Sequence, residues 1–314
     1  MRRPALRCGP TAPSLPAGAC SERWFRQVFR REEIVPGVWR FLMARSLLGK
    51  DLYPTACYMV PQARLMVDSG SALFADRTSR EAKAAGVRTV FLTHSHEDHT
   101  GGAPSLVSDL GASCFAHPDA IPVLADPRSL RMLLYRRFMF GVPRTCVARP
   151  AADFFEDGGM RFRVLHTPGH SPDHLVVFEE ERGWLFVGDA YIPVPDRVFF
   201  DTGCIYSVWV ETLRALAGLG ADRMFTGMGP VNRRPSRALM EKANRLSEIS
   251  EKVMRLWGEG LKDTEIAKRL FPGDIAVRLV TGGNYSAVNI VRACLRSPVS
   301  ERRADRLFLA SPST

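Results

Sequence analysis

All seven histidines of this 314-residue chain fall between positions 94 and 174. Four of them follow strand-like segments directly, in loops rich in Gly or Pro, a placement that chance would rarely give. The densest string, FLTHSHEDHTGG, puts His94, His96, Asp98 and His99 on the loop leaving a buried strand. In extended chain, residues two apart share a face. His94 and His96 are therefore expected to grip one cation from one side, with Asp98 and His99 on the following turn facing a second. Imidazole and carboxylate together suit Zn²⁺, Mn²⁺ or Fe²⁺. Gly101 and Gly102 are expected to let the backbone turn sharply beneath this site.

The surrounding text alternates strand and helix. IVPGVWRFLM, CYMV and RLMVDSG read as strands, the last two joined by a turn at Pro61–Ala63. FADRTSREAKAAG is a helix ending at Gly86, and VRTVFLT is a buried strand. A helix from about Pro104, the strands ASCFAH, MRFRVLH, HLVVFEE and WLFVGD, the helix VWVETLRALAGLG and the strand DRMFTG follow. Hairpins mixed with crossovers imply a layered α/β fold with mixed sheets. Four units are expected: a weakly ordered extension over 1–31, a catalytic domain over 32–235, a helical, winged-helix-like C-terminal subdomain over 236–297, and a tail over 298–314.

The ordered motifs resemble the metallo-β-lactamase superfamily, in its glyoxalase II-like branch. H-x-H-x-D-H followed by Gly-Gly is similar to its metal signature. VDSG at 67–70 resembles the motif whose Asp, here Asp68, orients the metal loop. LHTPGHSPDH resembles the motif that supplies the third ligand of the first metal, here His170, and FVGDA the motif that supplies a bridging carboxylate, here Asp189. The resemblance covers about residues 34–235 and implies a four-layer αββα sandwich with metal ligands His94, His96, Asp98, His99, His170 and Asp189. It departs at FTGMGPV, where Met228 stands in place of the second metal's histidine. A thioether is a soft, weak ligand. One tight site is therefore expected, built on His94, His96 and His170 with Asp189. The second site, Asp98, His99 and Asp189, is expected to be weak or empty. Zinc is the first choice of metal; iron and manganese also fit.

The resemblance implies a metal-dependent hydrolase acting on an ester, thioester or lactone. Asp98 is the candidate general base, and His99 assists by hydrogen bonding or by holding a loosely bound second ion. A small endoribonuclease-like nuclease, a one-iron persulfide dioxygenase-like enzyme and a non-enzymatic binding protein remain as alternatives. Met228 lies only 39 positions after Asp189, too few for the additional domain of the nucleic-acid-processing branch.

The formal charge of +10 is local: residues 1–31 supply +6 and residues 128–149 another +6, which leaves −2 elsewhere. Nucleic acid is thus a weak expectation, and a small molecule the stronger one. That substrate would be anionic if Arg136 and Arg137 recruit it from a lid over the metal. The helical C-terminal region could serve as a cap or in a homodimer. His117, His166 and His174 read as packing or supporting residues, and Tyr191 as packing or pocket-facing. Seven cysteines without C-x-x-C spacing fit reduced thiols in a cytoplasmic protein. No stretch is long enough for a membrane span, and the proline-rich first 20 residues do not read as a secretory signal.

Overall fold

The computed structural model describes residues 25–130, 132–194, 203–273 and 275–299. Seven strands form the first sheet in chain order: β1 (Phe25–Val35), β2 (Val38–Leu47), β3 (Lys50–Val60), β4 (Leu65–Val67), β5 (Thr89–Phe91), β6 (Ser113–Ala116) and β7 (Arg149–Pro150). The second runs in reverse chain order from β13 (Val231–Asn232) through β12 (Arg223–Thr226), β11 (Trp184–Gly188), β10 (Leu175–Glu179) and β9 (Met160–His166) to β8 (Phe154–Asp157). The helices are α1 (Ala75–Ala84), α2 (Glu97–Thr100), α3 (Ala103–Leu110), α4 (Ile121–Ala125), α5 (Leu134–Phe140), α6 (Tyr206–Ala217), α7 (Pro235–Gly258), α8 (Asp263–Leu270), α9 (Ile275–Val280) and α10 (Ala287–Arg296).

Strand pleating builds the four layers. Successive side chains on a strand point to opposite faces. On β3, Tyr58 and Val60 enter the core between the sheets, while Cys57 and Met59 enter the core shared with α1 and α3. On β10 and β11, Val177 and Phe186 face the first sheet, and Phe178 and Leu185 face a third core under α6 and α7. Both faces of these strands are buried, so they read as continuous apolar runs rather than alternating ones. The result is the αββα sandwich with a helical C-terminal region.

Two sequence expectations change. Residues 25–31, expected within a weakly ordered extension, form the first part of β1, paired in register with β2 from Phe25↔Leu47 to Arg31↔Phe41. Phe29 packs on Phe41 and Phe74 there, an apolar anchor hidden among arginines. Residues 1–24 lie outside the described residues. The described residues of the C-terminal region form four helices joined by turns, with no strand that could serve as a wing. Its helices α7, α8 and α10 bury Leu246, Ile266 and Ile290 in one core with α6, so the region continues the fourth layer.

The functional loops leave the C-terminal ends of two parallel pairs, β4/β5 and β11/β12. The two sheets are stitched together at that edge. Leu175 N–H donates to the Thr93 carbonyl at 2.6 Å, and Ala56 N–H to the Gly227 carbonyl at 2.7 Å.

Candidate metal centre

His94 follows β5, and α2 begins three residues later, so the signature string spans the exit of one strand and one helical turn. Gly101 and Gly102 serve a purpose different from the expected sharp turn. Their φ values are the ordinary helical −62° and −85°. A Cβ on either would run into the backbone of Ser69–Ala72. What the site needs there is close approach, which lets Gly102 N–H bond the Gly70 carbonyl at 3.1 Å.

His94, His96 and His170 each bring one ligand atom into a common space, all within 4.8 Å of one another, and His94, His99 and Asp189 form a second such group. His94 Nε2 lies 2.9 Å from His96 Nδ1, which lies 3.2 Å from His170 Nε2. Asp189 turns its two oxygens to different partners, Oδ1 to His99 Nε2 at 3.5 Å and Oδ2 to His170 Nε2 at 3.7 Å. The expected site residues are thus brought together. Asp98 sits at the side, its Oδ2 3.7 Å from His99 Nε2.

Hydrogen bonds behind the ligand atoms fix the tautomers. Asp68 accepts the Thr93 N–H at 2.7 Å, the Thr93 hydroxyl at 3.0 Å and His99 Nδ1–H at 2.8 Å. With its proton committed to Asp68, the Thr93 hydroxyl accepts from His94 Nδ1–H at 3.0 Å. In their neutral form both imidazoles therefore present an Nε2 lone pair to the site, the form a metal takes. His174 accepts the Asp189 N–H on Nε2 at 3.2 Å, contacts Thr167 Oγ1 through Nδ1 at 2.9 Å, and stacks on His94. Its two nitrogens are occupied, as a supporting residue requires. His117 and His166 stack on each other, 4.2 Å between ring centres.

Burial and the neighbouring carboxylates set the electrostatics of the site. Burial, reinforced by neighbouring imidazoles, holds His94 well below the ordinary histidine value, and burial holds His170 down at about 4. Both rings are neutral ligands at neutral pH. Burial pushes the Asp98 carboxyl up to about 6. Burial opposes charge on His99, yet Asp68, Asp98 and Asp189 raise it well above its usual value. The His99 Nε2 atom is buried and makes no hydrogen bond. An unsatisfied buried nitrogen costs about 1–3 kcal/mol. A divalent cation between His99, His94 and Asp189 would satisfy it, so the residues fit the metal that the motifs imply.

The position of Met228 is taken up by glycine and apolar packing. Gly227 lies directly against the centre. A Cβ there would press into Asp189 Oδ1 and lie 2.8 Å from His99 Cε1. Met228 itself is half-buried and packs against the apolar core of the fourth layer.

In the segment 118–149, one of the two arginines expected to recruit substrate is already paired. Arg136 on α5 makes a two-pronged ion pair with Glu97 of the signature string, and that carboxylate is almost fully buried. Burial works against the Arg136 charge, but the bonds to Glu97 raise its pKa above the ordinary arginine value. Its charge is spent holding α5 to the metal loop. Arg137 is exposed.

Sequence reasoning did not single out this pair, nor Asp173. The Asp173 carboxylate accepts the Ser95 N–H at 2.9 Å and the Ser171 hydroxyl at 2.6 Å, tying the two histidine loops together. Adjacency to the motifs was the available signal, since Glu97 sits inside HSHEDH and Asp173 three residues after His170.

Comparison with known proteins agrees with this construction. Residues 51–227, more than half of the chain, match the metallo-beta-lactamase superfamily, and the chain belongs to that superfamily. It is 28% identical over 254 residues to the lactamase-like protein ptaB of Pestalotiopsis fici, covering 76% of this chain and 72% of that protein. It is 26% identical over 203 residues to the beta-lactamase-like protein 2 homolog of Drosophila melanogaster, covering 61% of this chain and 63% of that one. Against the atrochrysone carboxyl ACP thioesterase nsrC of Aspergillus novofumigatus it is 30% identical over 208 residues, 64% of this chain and 56% of that protein. The match thus spans less than two thirds of the last two relatives' length. Among solved structures, a metallo-beta-lactamase family protein from Thermus thermophilus superposes with a TM-score of 0.61 at 22% identity, over 84% of this chain and 93% of that one. That likeness speaks to the fold.

Two further observations bear on setting. Among the described residues, no helix is long and apolar enough to cross a membrane. Cys57, Cys114, Cys146, Cys204 and Cys294 are free and buried.

Proposed function

We propose that this protein is a metal-dependent hydrolase of an acyl ester, thioester or lactone, with His94, His96 and His170 as ligands of a first zinc ion. Asp98, His99 and Asp189 would hold any second ion. The observation that carries the reading is the convergence of His94, His96 and His170 on one point, with His99 and Asp189 grouped beside them around the same His94 and a buried His99 Nε2 that makes no hydrogen bond. The relatives named as ACP thioesterases support the acyl-transfer class.

A bound divalent cation supplies Lewis acidity, polarising a carbonyl and lowering the pKa of a coordinated water from 15.7 to about 7. The chain's residues do the rest. Asp98, its carboxyl held near 6 by burial, is matched to proton transfer at neutral pH. It accepts a proton as the water oxygen bonds the acyl carbon, and returns it to the leaving sulfur or oxygen as that bond to carbon breaks. Asp68 and Thr93 keep His94 and His99 in the ligating tautomer throughout.

The test joins elemental analysis of the purified protein to a panel of aryl esters, acyl thioesters, lactones and phosphodiesters. Turnover of acyl substrates, removed by a chelator and restored by zinc, is expected. His94→Ala is expected to abolish turnover and most bound metal. Unchanged turnover and metal content in that variant would refute the assignment.

A further inference from the structure

A second cavity adjoins the metal centre. Its volume is about 390 Å³, and its lining comes from three separate parts of the fold. Leu52 and Tyr53 come from β3, Met139 and Phe140 from α5, and Val277 and Tyr285 from the C-terminal region. Among the described residues no charged side chain lines it. Tyr53, Phe140 and Tyr285 also bound the small chamber that contains His96, Asp98 and His170. The same three rings therefore face the ligand residues on one side and the apolar space on the other.

The partition is specifically built. Tyr53 has φ of +43°, a left-handed backbone that aromatic residues rarely adopt. It sits where the pairing of β2 and β3 slips register. Strain of this kind persists where the surroundings over-determine it, and it clusters at ligand sites. The strained backbone sets the Tyr53 ring edge-on to Phe140, 5.4 Å between centres, and its hydroxyl 3.3 Å from that of Tyr285. Each tyrosine thus turns its polar end to the other and leaves ring surface to the cavity. A separate groove of about 560 Å³ reaches the centre at His96 and His170 and has a mixed lining, with Arg136 and Asn284 beside Leu130 and Leu133.

We propose that the apolar cavity is the acyl subsite: it takes an uncharged alkyl or aryl chain on the carbonyl side of the scissile bond, and the mixed groove takes the leaving portion. The proposal rests on the hydrolase reading above and adds the substrate class. It also departs from recruitment of an anionic group by α5, because Arg136 is committed to Glu97. Removing one methylene from water is worth enough to change an equilibrium about three- to fourfold.

The experiment uses the zinc-loaded full chain and p-nitrophenyl esters from acetate to decanoate. In kcat/KM, a rise of about threefold per methylene is expected until the cavity is full. Val277→Trp on α9 and Met139→Trp on α5 fill the space from opposite walls. In each, the decanoate-to-acetate ratio is expected to collapse by at least tenfold. A flat chain-length profile would overturn the proposal, and so would a steep profile that both tryptophan variants retain. If no ester, and no thioester or lactone of the panel above, is hydrolysed, the hydrolase reading fails by itself. Calorimetric titration with decanoate then decides the subsite: saturable binding weakened by Val277→Trp supports it, and absence of binding removes it.

Discussion

Asp68→Asn isolates the contribution of a residue that never touches the metal. Asp68 is buried with φ of +60°. Asn is among the few residues that share this left-handed preference, so the backbone is retained. The amide oxygen can still accept the Thr93 N–H. The amide NH₂ then meets His99 Nδ1–H, donor against donor, where a carboxylate accepted at 2.8 Å. A hydrogen bond to a charged group is worth about 1.5–3 kcal/mol, and its loss converts to a tenfold to hundredfold effect. That matches the 10–100-fold typical of groups that orient metal-bound histidines. Asp68→Ala is less informative. It strands three donors at about 1–3 kcal/mol each, a sum comparable with the roughly 5–15 kcal/mol total stability of a domain. The assay is zinc affinity by chelator competition, with kcat/KM on an acyl ester and a thermal melt alongside. Asp68→Asn is expected to weaken both affinity and kcat/KM by about tenfold or more while the protein stays folded. Zinc affinity and kcat/KM within threefold of the parent would refute the claim that Asp68 sets the His99 tautomer.

Three further outcomes follow from the packing and charge around the centre. Gly227→Ala pushes a methyl group into Asp189 Oδ1 and His99. Overpacking costs about 1–3 kcal/mol, so a lower melting temperature and reduced zinc content are expected, and a variant normal in both would show that the loop yields. Arg136→Ala leaves Glu97 buried without its partner, at about 3–5 kcal/mol. The double change Arg136→Met with Glu97→Gln is expected to recover most of that loss in urea denaturation; no recovery would mean that α5 is held by other contacts. Burial opposes ionised Asp173, but the Ser171 hydroxyl and Ser95 N–H hold its pKa below the ordinary carboxylate value. A depressed folded-state pKa stabilises above the unfolded value, about 3.9, and the gain disappears as pH falls through the folded value. The stability lost in Asp173→Asn is therefore expected to be full at pH 6–7 and to shrink below about pH 4. Urea midpoints differing by a constant amount across that range would contradict it.

Much of the centre could be read from the sequence because its chemistry is local. His94, His96, Asp98 and His99 lie within six residues, and strand-exit geometry dictates where such side chains point. The double-sided burial of β10 and β11 was legible in the same way, as unbroken apolar runs. Composition misled at residues 25–31, where arginines outnumber the aromatics that anchor β1, because only pairing with β2 shows which face each occupies. Tertiary structure alone decided the rest. It put Asp189 across from His99, gave the Arg136 charge to Glu97, and folded β3, α5 and the C-terminal helices around one apolar cavity. Those contacts join residues 39 to more than 200 positions apart. Sequence spacing carries no distance at that range; packing and the neutralisation of buried charge do.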